Sequence, residues 1–329
     1  MKNISNSIAL LFALLLPTLA VSQTERAYIT NFDSNFISVV DLKSMEKIVD
    51  VKTGKNPHGA AVSPDGKYVA VSNEGDNSVS IIAPATNAVV RTIPVGSHPH
   101  QLAFTNDAAS LYVTINAEHR VDVINTTTWT VEANIPVGRN PHIAQPSPDG
   151  KLMYVTSEGD QKVIVIDLAS KNVVGDILVF GFPRVPAMTP DGKTIYLTMR
   201  WMNGALKIDT EKKKVVGWIQ LTQSPKFPSD GKASHGPGVS PDGKFLYLTS
   251  QVLNSVSVVY IASEKIVHEI PVGIDPNWIG FSKDGKYAVV SNTGTNDASI
   301  IDLATRKIVK TIPVGKSPKR LAVGKVITR

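Results

Sequence analysis

Seven polar residues recur along this chain at nearly constant spacing: His58, His100, His142, Arg184, His235, Asn277 and Lys319. The steps between them are 42, 42, 42, 51, 42 and 42 residues. Most follow a proline, as in "IPVGSHPHQLAF" (93–104) and "IPVGRNPHIAQP" (135–146). Imidazoles suit zinc, copper, nickel or iron, and unperturbed they titrate near neutral pH. Arg184 and Lys319 would favour an anion. The polar loops later in each copy add Glu74, Glu118, His119, Glu158, Arg200, Trp201 and Asn254.

Two chemistries are open to such a set. His58, His100, His142 and His235, with Glu74 and Glu158, form a candidate metal shell, and the first three, on consecutive copies, could share one ion. The seven recurring residues with Arg200 and Trp201 form a candidate ligand surface. Phe180 and Phe182 beside Arg184 could stack on a planar ligand. The cofactors to consider are a divalent transition metal or a haem-type macrocycle. A purely architectural reading stands beside both, because a polar residue at a strand start can satisfy loop backbone groups. His98, two before His100, reads as a solvent-exposed loop residue.

The elements that must position these residues are legible. Aligned on tyrosine, the chain shows seven copies beginning at Tyr28, Tyr68, Tyr112, Tyr154, Tyr196, Tyr247 and Tyr287. Each copy holds a Tyr-Val-Thr-type segment, a polar loop, a second segment such as "KVIVIDL", and a third such as "KIVKTIPVG". A fourth, such as "HGAAVS", ends in Ser-Pro-Asp-Gly-Lys. All are short, alternating and rich in β-branched residues, so they read as strands. Pro-Asp-Gly at 64–66, 148–150, 190–192 and 241–243 presets a tight turn. Four antiparallel strands in about 42 residues is the pattern of a propeller blade.

The first copy lacks its opening strand, and the last ends with a surplus one, "PKRLAVG" (Pro318 to Gly324). The expectation is an all-β, seven-bladed β-propeller, closed by N- and C-terminal strands sharing one blade. The innermost strands should then begin at one mouth of the central channel and gather the seven recurring residues there.

The units "YVTN…SVSVID…KVV.TIPVG..PHG.A.SPDGK" resemble the YVTN-type β-propeller repeat proteins over nearly the whole chain after residue 22. The resemblance implies an exported propeller. It also implies an architecture shared with the haem-binding propeller of dissimilatory nitrite reductases, with propeller lactonases and with surface-layer domains. A shared scaffold does not fix an activity.

Composition narrows the setting. The 329 residues are 42% hydrophobic and 19% charged, an ordinary globular balance. The absence of cysteine excludes disulfides, thiolate metal sites, covalent c-type haem and a lipoprotein anchor. The net charge, 34 − 28 = +6, is spread along the chain and does not mark a nucleic-acid binder. Lys2, the apolar run Ile8 to Leu16, and Ala20-Val21-Ser22 read as a signal peptide over residues 1–22. The remaining single propeller domain, 23–329, is expected in the periplasm or secreted, as a monomer without a membrane span. The insertion 221–238, ahead of His235, reads as a lid or a surface loop. No Gly-x-Ser-x-Gly elbow, phosphate loop or His-Glu-x-x-His is present.

The leading functional expectation is a binding or interaction scaffold, taking a small anionic ligand or a protein partner at the His/Arg/Lys mouth. The alternatives are a metal- or haem-dependent oxidoreductase component and a lactonase-like metal-dependent hydrolase.

Overall fold

The Ser-Pro-Asp-Gly turns show how local chemistry builds the blades. In the first of them Ser63 Oγ donates to Asp65 Oδ1 at 2.7 Å and accepts from the Tyr68 amide at 3.0 Å. Gly66 takes φ = 72°, a value that strains any residue with a Cβ. The same arrangement recurs at Ser147, Thr189, Ser240 and Ser282. Each turn joins an innermost strand to the tyrosine-bearing strand.

The computed structural model describes residues 22–222 and 233–328. It contains seven four-stranded antiparallel sheets. One is assembled from both chain ends, with Pro318–Thr328 innermost, then Ser22–Asn31, Phe36–Asp41 and Glu46–Lys52. Its register pairs Tyr28 with Ala322 and Ser22 with Thr328, so the shared strand is longer than "PKRLAVG". Taking this as the first blade, the second to seventh begin with innermost strands Pro57–Val62, Pro99–Phe104, Pro141–Pro146, Pro183–Met188, Ser234–Val239 and Pro276–Phe281. No helix of the described residues is long and apolar enough to cross a membrane.

The core lies between blades. The middle strands are buried along their length, as in Val69–Asn73 and Ser78–Ala83, because sheets stack on both of their faces. Ile81 and Val79 of the second blade pack with Leu102, Phe104 and Val113 of the third. The outermost strands are largely exposed and carry Val90, Val174 and Trp218 at the surface.

The insertion expected over 221–238 is narrower than that. Leu221 and Ala233 are buried, and Ser234–Val239 is an innermost strand. The lid reading falls on residues 223–232, outside the described residues, as does nearly all of the signal-peptide segment.

Candidate functional site

Each innermost strand slips register just after its start. In the second blade Pro57 pairs with Asn73 but Ala60 pairs with Val71, so His58 and Gly59 together oppose Ser72. This is a β-bulge, which re-aims side chains. A hydroxyl fills the gap: the Gly59 amide donates to Ser72 Oγ at 2.8 Å, and Ser72 Oγ donates to the His100 carbonyl of the next blade. The relay repeats with Thr114 (Gln101 amide, His142 carbonyl), Thr156 (Ile143 amide, Arg184 carbonyl) and Thr198 (Val185 amide, His235 carbonyl). In the shared blade Thr30 accepts from the Arg320 amide and donates to the His58 carbonyl. The architecture thus uses the backbone carbonyls of several recurring residues and leaves their side chains for the channel.

All seven recurring residues line one cavity of about 620 Å³, as sequence spacing predicts. A second ring stands above them. Phe32, Glu74, Asn116, Glu158, Arg200, Gln251 and Thr293 follow the ends of the tyrosine-bearing strands, and the first six line the same cavity. Every one is pinned by its amide to the loop entering the innermost strand of its own blade. Examples are Glu74 N–H to Asn56 O (3.1 Å), Asn116 N–H to His98 O (3.1 Å) and Glu158 N–H to Asn140 O (3.2 Å). Those three acceptors all have φ between 51° and 55°, the left-handed turn that brings the carbonyl round. Six blades therefore present a two-residue tooth: His58 with Glu74, His100 with Asn116, His142 with Glu158, Arg184 with Arg200, His235 with Gln251, and Lys319 with Phe32, whose ring lies 5.7 Å from Nζ.

The two glutamates lean toward the next blade. Glu74 Oε2 lies 2.6 Å from His58 Nδ1 and 3.6 Å from His100 Nε2, while its Oε1 lies 3.5 Å from His98 Nδ1. Glu158 reaches Arg184 Nε at 3.4 Å and Arg200 Nη2 at 3.9 Å. One side of the mouth is thus rich in imidazole and the other in guanidinium. Gly59 permits the close approach on the imidazole side, since a Cβ there would sit 2.6 Å from the His100 carbonyl oxygen. The His58 and His100 rings meet edge to face with centroids 4.4 Å apart.

Below the ring the channel is closed by Arg320, which is 0% exposed. Its guanidinium donates to His142 Nε2 at 3.0 Å and Gln101 Oε1 at 3.2 Å, and lies 5.2 Å from the centre of the Trp278 ring. Burial pulls its pKa down to about 9 from 12.5, so it stays cationic at neutral pH. Beyond it lies a second cavity of about 400 Å³, lined by the far halves of the innermost strands.

Burial and the cations around the ring set the state of the imidazoles. His142 accepts from Arg320 at Nε2, so its proton is on Nδ1, facing the Arg184 carbonyl at 3.3 Å. His235 likewise places Nδ1 2.8 Å from the Asn277 carbonyl. Burial, then neighbouring cations or the next imidazole, holds His58, His100, His142 and His235 well below the usual histidine range. All four are neutral at pH 7. His100 Nδ1 and Asn277 Oδ1 are buried with no hydrogen-bond partner among the described residues.

The placement of the candidates is therefore uneven. His58, Glu74 and His100 come together, with ligand atoms within 4.8 Å of one another. His142 is turned to Arg320 instead, and Glu158 to the arginines, so neither joins that group. Trp201 stands at the rim, 44% exposed and edge-on to Phe182. Glu118, His119 and Asn254 do not line the cavity, and Glu118 pairs with Arg120. Phe32, Asn116 and Gln251 were legible in the same 42-residue period but carry less conspicuous chemistry. Arg320 had a weaker signal, being a second consecutive charge in an innermost strand.

Solved structures share this fold at low identity. A Kuenenia stuttgartiensis hydrazine synthase chain matches with TM-score 0.74 and 22% identity, over 83% of this chain and 95% of that one. A putative 6-phosphogluconolactonase from Bacteroides fragilis matches with TM-score 0.76 and 19% identity, over 92% and 98%. A dihydro-haem d1 dehydrogenase matches with TM-score 0.66 and 16% identity, over 90% and 74%. These likenesses carry the fold alone. No curated protein matches the chain. The family model for YNCE-like β-propellers matches residues 7–133 and 229–325, over blades whose strand order and shared closing sheet are those described above. On that match the chain belongs to the YNCE-like β-propeller family.

Proposed function

We propose that this propeller is an exported binding protein whose polar channel mouth takes a small anionic ligand. The observation that carries this is the convergence of Arg184, Arg200 and Lys319 on one 620 Å³ cavity, with Arg320 buried beneath it. Three lining cations face the three carboxylates of Glu74, Glu158 and Asp275, and the imidazoles are neutral, so Arg320 beneath the mouth supplies a positive surplus of one. Desolvated guanidinium groups bind carboxylate and phosphate oxygens in pairs. The unpartnered Asn277 Oδ1 offers an acceptor to a ligand hydroxyl or amide. The apolar run before residue 22 supports export.

The test is a thermal-shift screen of small carboxylates and phosphate esters, followed by calorimetry on any that stabilise the protein. Binding should weaken at least about tenfold in Arg184→Gln and in Arg200→Gln, since each removes a charge-assisted hydrogen bond. A screen without any stabilising anion, or one whose hits bind both variants unchanged, would overturn the reading.

A further inference from the structure

The imidazole side of the mouth has a chemistry of its own. Among the described residues Glu74 is the only carboxylate lining this side, and three imidazoles surround it: His58 Nδ1 at 2.6 Å, His98 Nδ1 at 3.5 Å and His100 Nε2 at 3.6 Å. We propose that His58, Glu74 and His100 form a binding site for one divalent transition-metal ion of the zinc, copper or nickel class. The inference rests on the reading of this mouth as a binding site and assigns one side of it to a metal.

Three observations support it. The first is spacing. A metal held at about 2.0–2.2 Å by two nitrogens and an oxygen keeps its ligand atoms roughly 3.0–3.5 Å apart. The His100–Glu74 separation, 3.6 Å, lies just above that range, and His58 need retreat from Glu74 by less than about an ångström to make room for the ion. The second is the donor set: two imidazoles and a carboxylate whose ligand atoms lie within 4.8 Å of one another are a borderline-soft group, suited to these metals rather than to calcium or magnesium. The third is a hydrogen bond left unmade. His100 Nδ1 is buried with no partner among the described residues, so the polar contact of this ring is the long 3.6 Å approach of Nε2 to Glu74. Metal ligation at Nε2 would replace that long contact with a bond.

The fold prepares the group without help from a ligand. The Glu74 amide is held by the Asn56 carbonyl, and Glu74 opens a short 3₁₀ turn, Glu74–Asp76, that ends at left-handed Asn77. Gly59 lets the second and third blades close on each other. His98 is 59% exposed at the rim, where it can add a fourth donor from the solvent side. Where His98 stays in solvent, the side open to the cavity leaves a coordination position for water or a small anion.

The test uses chelator-treated full-length protein titrated with Zn²⁺ and, for its visible spectrum, Co²⁺, with no anionic ligand present. One equivalent should bind, with Co²⁺ giving absorption bands of a low-coordinate nitrogen–oxygen site. Glu74→Gln and His100→Gln should each weaken binding by more than the roughly 10–100-fold that loss of an outer-shell partner costs. His235→Gln, an imidazole of the same ring outside the group, should bind normally. Circular dichroism and thermal melting of each variant establish that it is folded. Folded wild-type protein that takes up no metal, uptake that survives both Glu74→Gln and His100→Gln, or an equal loss in His235→Gln would each overturn the site. The arms are separate from those of the anion reading: Arg184→Gln should keep its metal, and anion binding in metal-free protein would survive failure of the metal site.

Discussion

Arg320 and His142 meet across the channel floor, guanidinium Nη2 to imidazole Nε2 at 3.0 Å, although 178 residues separate them in the chain. The bond fixes the His142 tautomer and places a cation under four neutral imidazoles. Its cost is a fully buried guanidinium whose Nε has no partner among the described residues.

Truncating that residue should expose the balance. Arg320→Ala leaves a cavity and unpaired groups on His142 and Gln101, and should cost roughly 3–5 kcal/mol in urea unfolding. Arg320→Met keeps the volume and relieves the desolvation of a charge, so it should be more stable than the alanine variant by at least about 1 kcal/mol. The His142 pKa, followed by NMR, should rise in Arg320→Met, because the Arg320 charge is the second cause of its depression. An unmoved His142 titration would contradict the coupling.

Stability should fall in mild acid. The four ring imidazoles are held neutral in the fold, while in the unfolded chain they take up protons as pH drops through about 6.5. The unfolded state then binds more protons, so the contribution is complete above pH 6.5 and is lost progressively below it. Melting temperature measured from pH 8 to pH 5 should decline below that point. The decline should be shallower in His235→Gln, which has one fewer imidazole to protonate. A flat profile would mean that the imidazoles are not buried neutral.

The hydroxyl relay predicts a contrast between two conservative changes. Thr156→Val is isosteric but unpairs the Ile143 amide and the Arg184 carbonyl, at about 1–3 kcal/mol for each group left without water. Thr156→Ser should cost much less, because Ser72 performs the same relay in the second blade. Equal losses for the two variants, by chemical denaturation, would show that the methyl packing and not the hydroxyl is what matters.

The propeller and its closure were determined by the sequence, because a blade is a local object. Each hairpin needs only alternation, a tight turn built on aspartate, most often Pro-Asp-Gly, and a fixed length, and these recur every 42 residues or so. The same period delivered His58, His100, His142, Arg184, His235, Asn277 and Lys319 to one mouth, since equivalent positions in identical units must land at equivalent places on a ring. What periodicity cannot encode is how unlike side chains at equivalent positions share the space they meet in. Glu74 takes His58 and His100, Glu158 takes two arginines, and His142 turns down to Arg320, according to distances across the channel rather than along the chain. Those choices follow from close packing and from the low dielectric beneath the ring, where each polar atom must find the nearest complement. Both conditions exist only once the seven blades have closed.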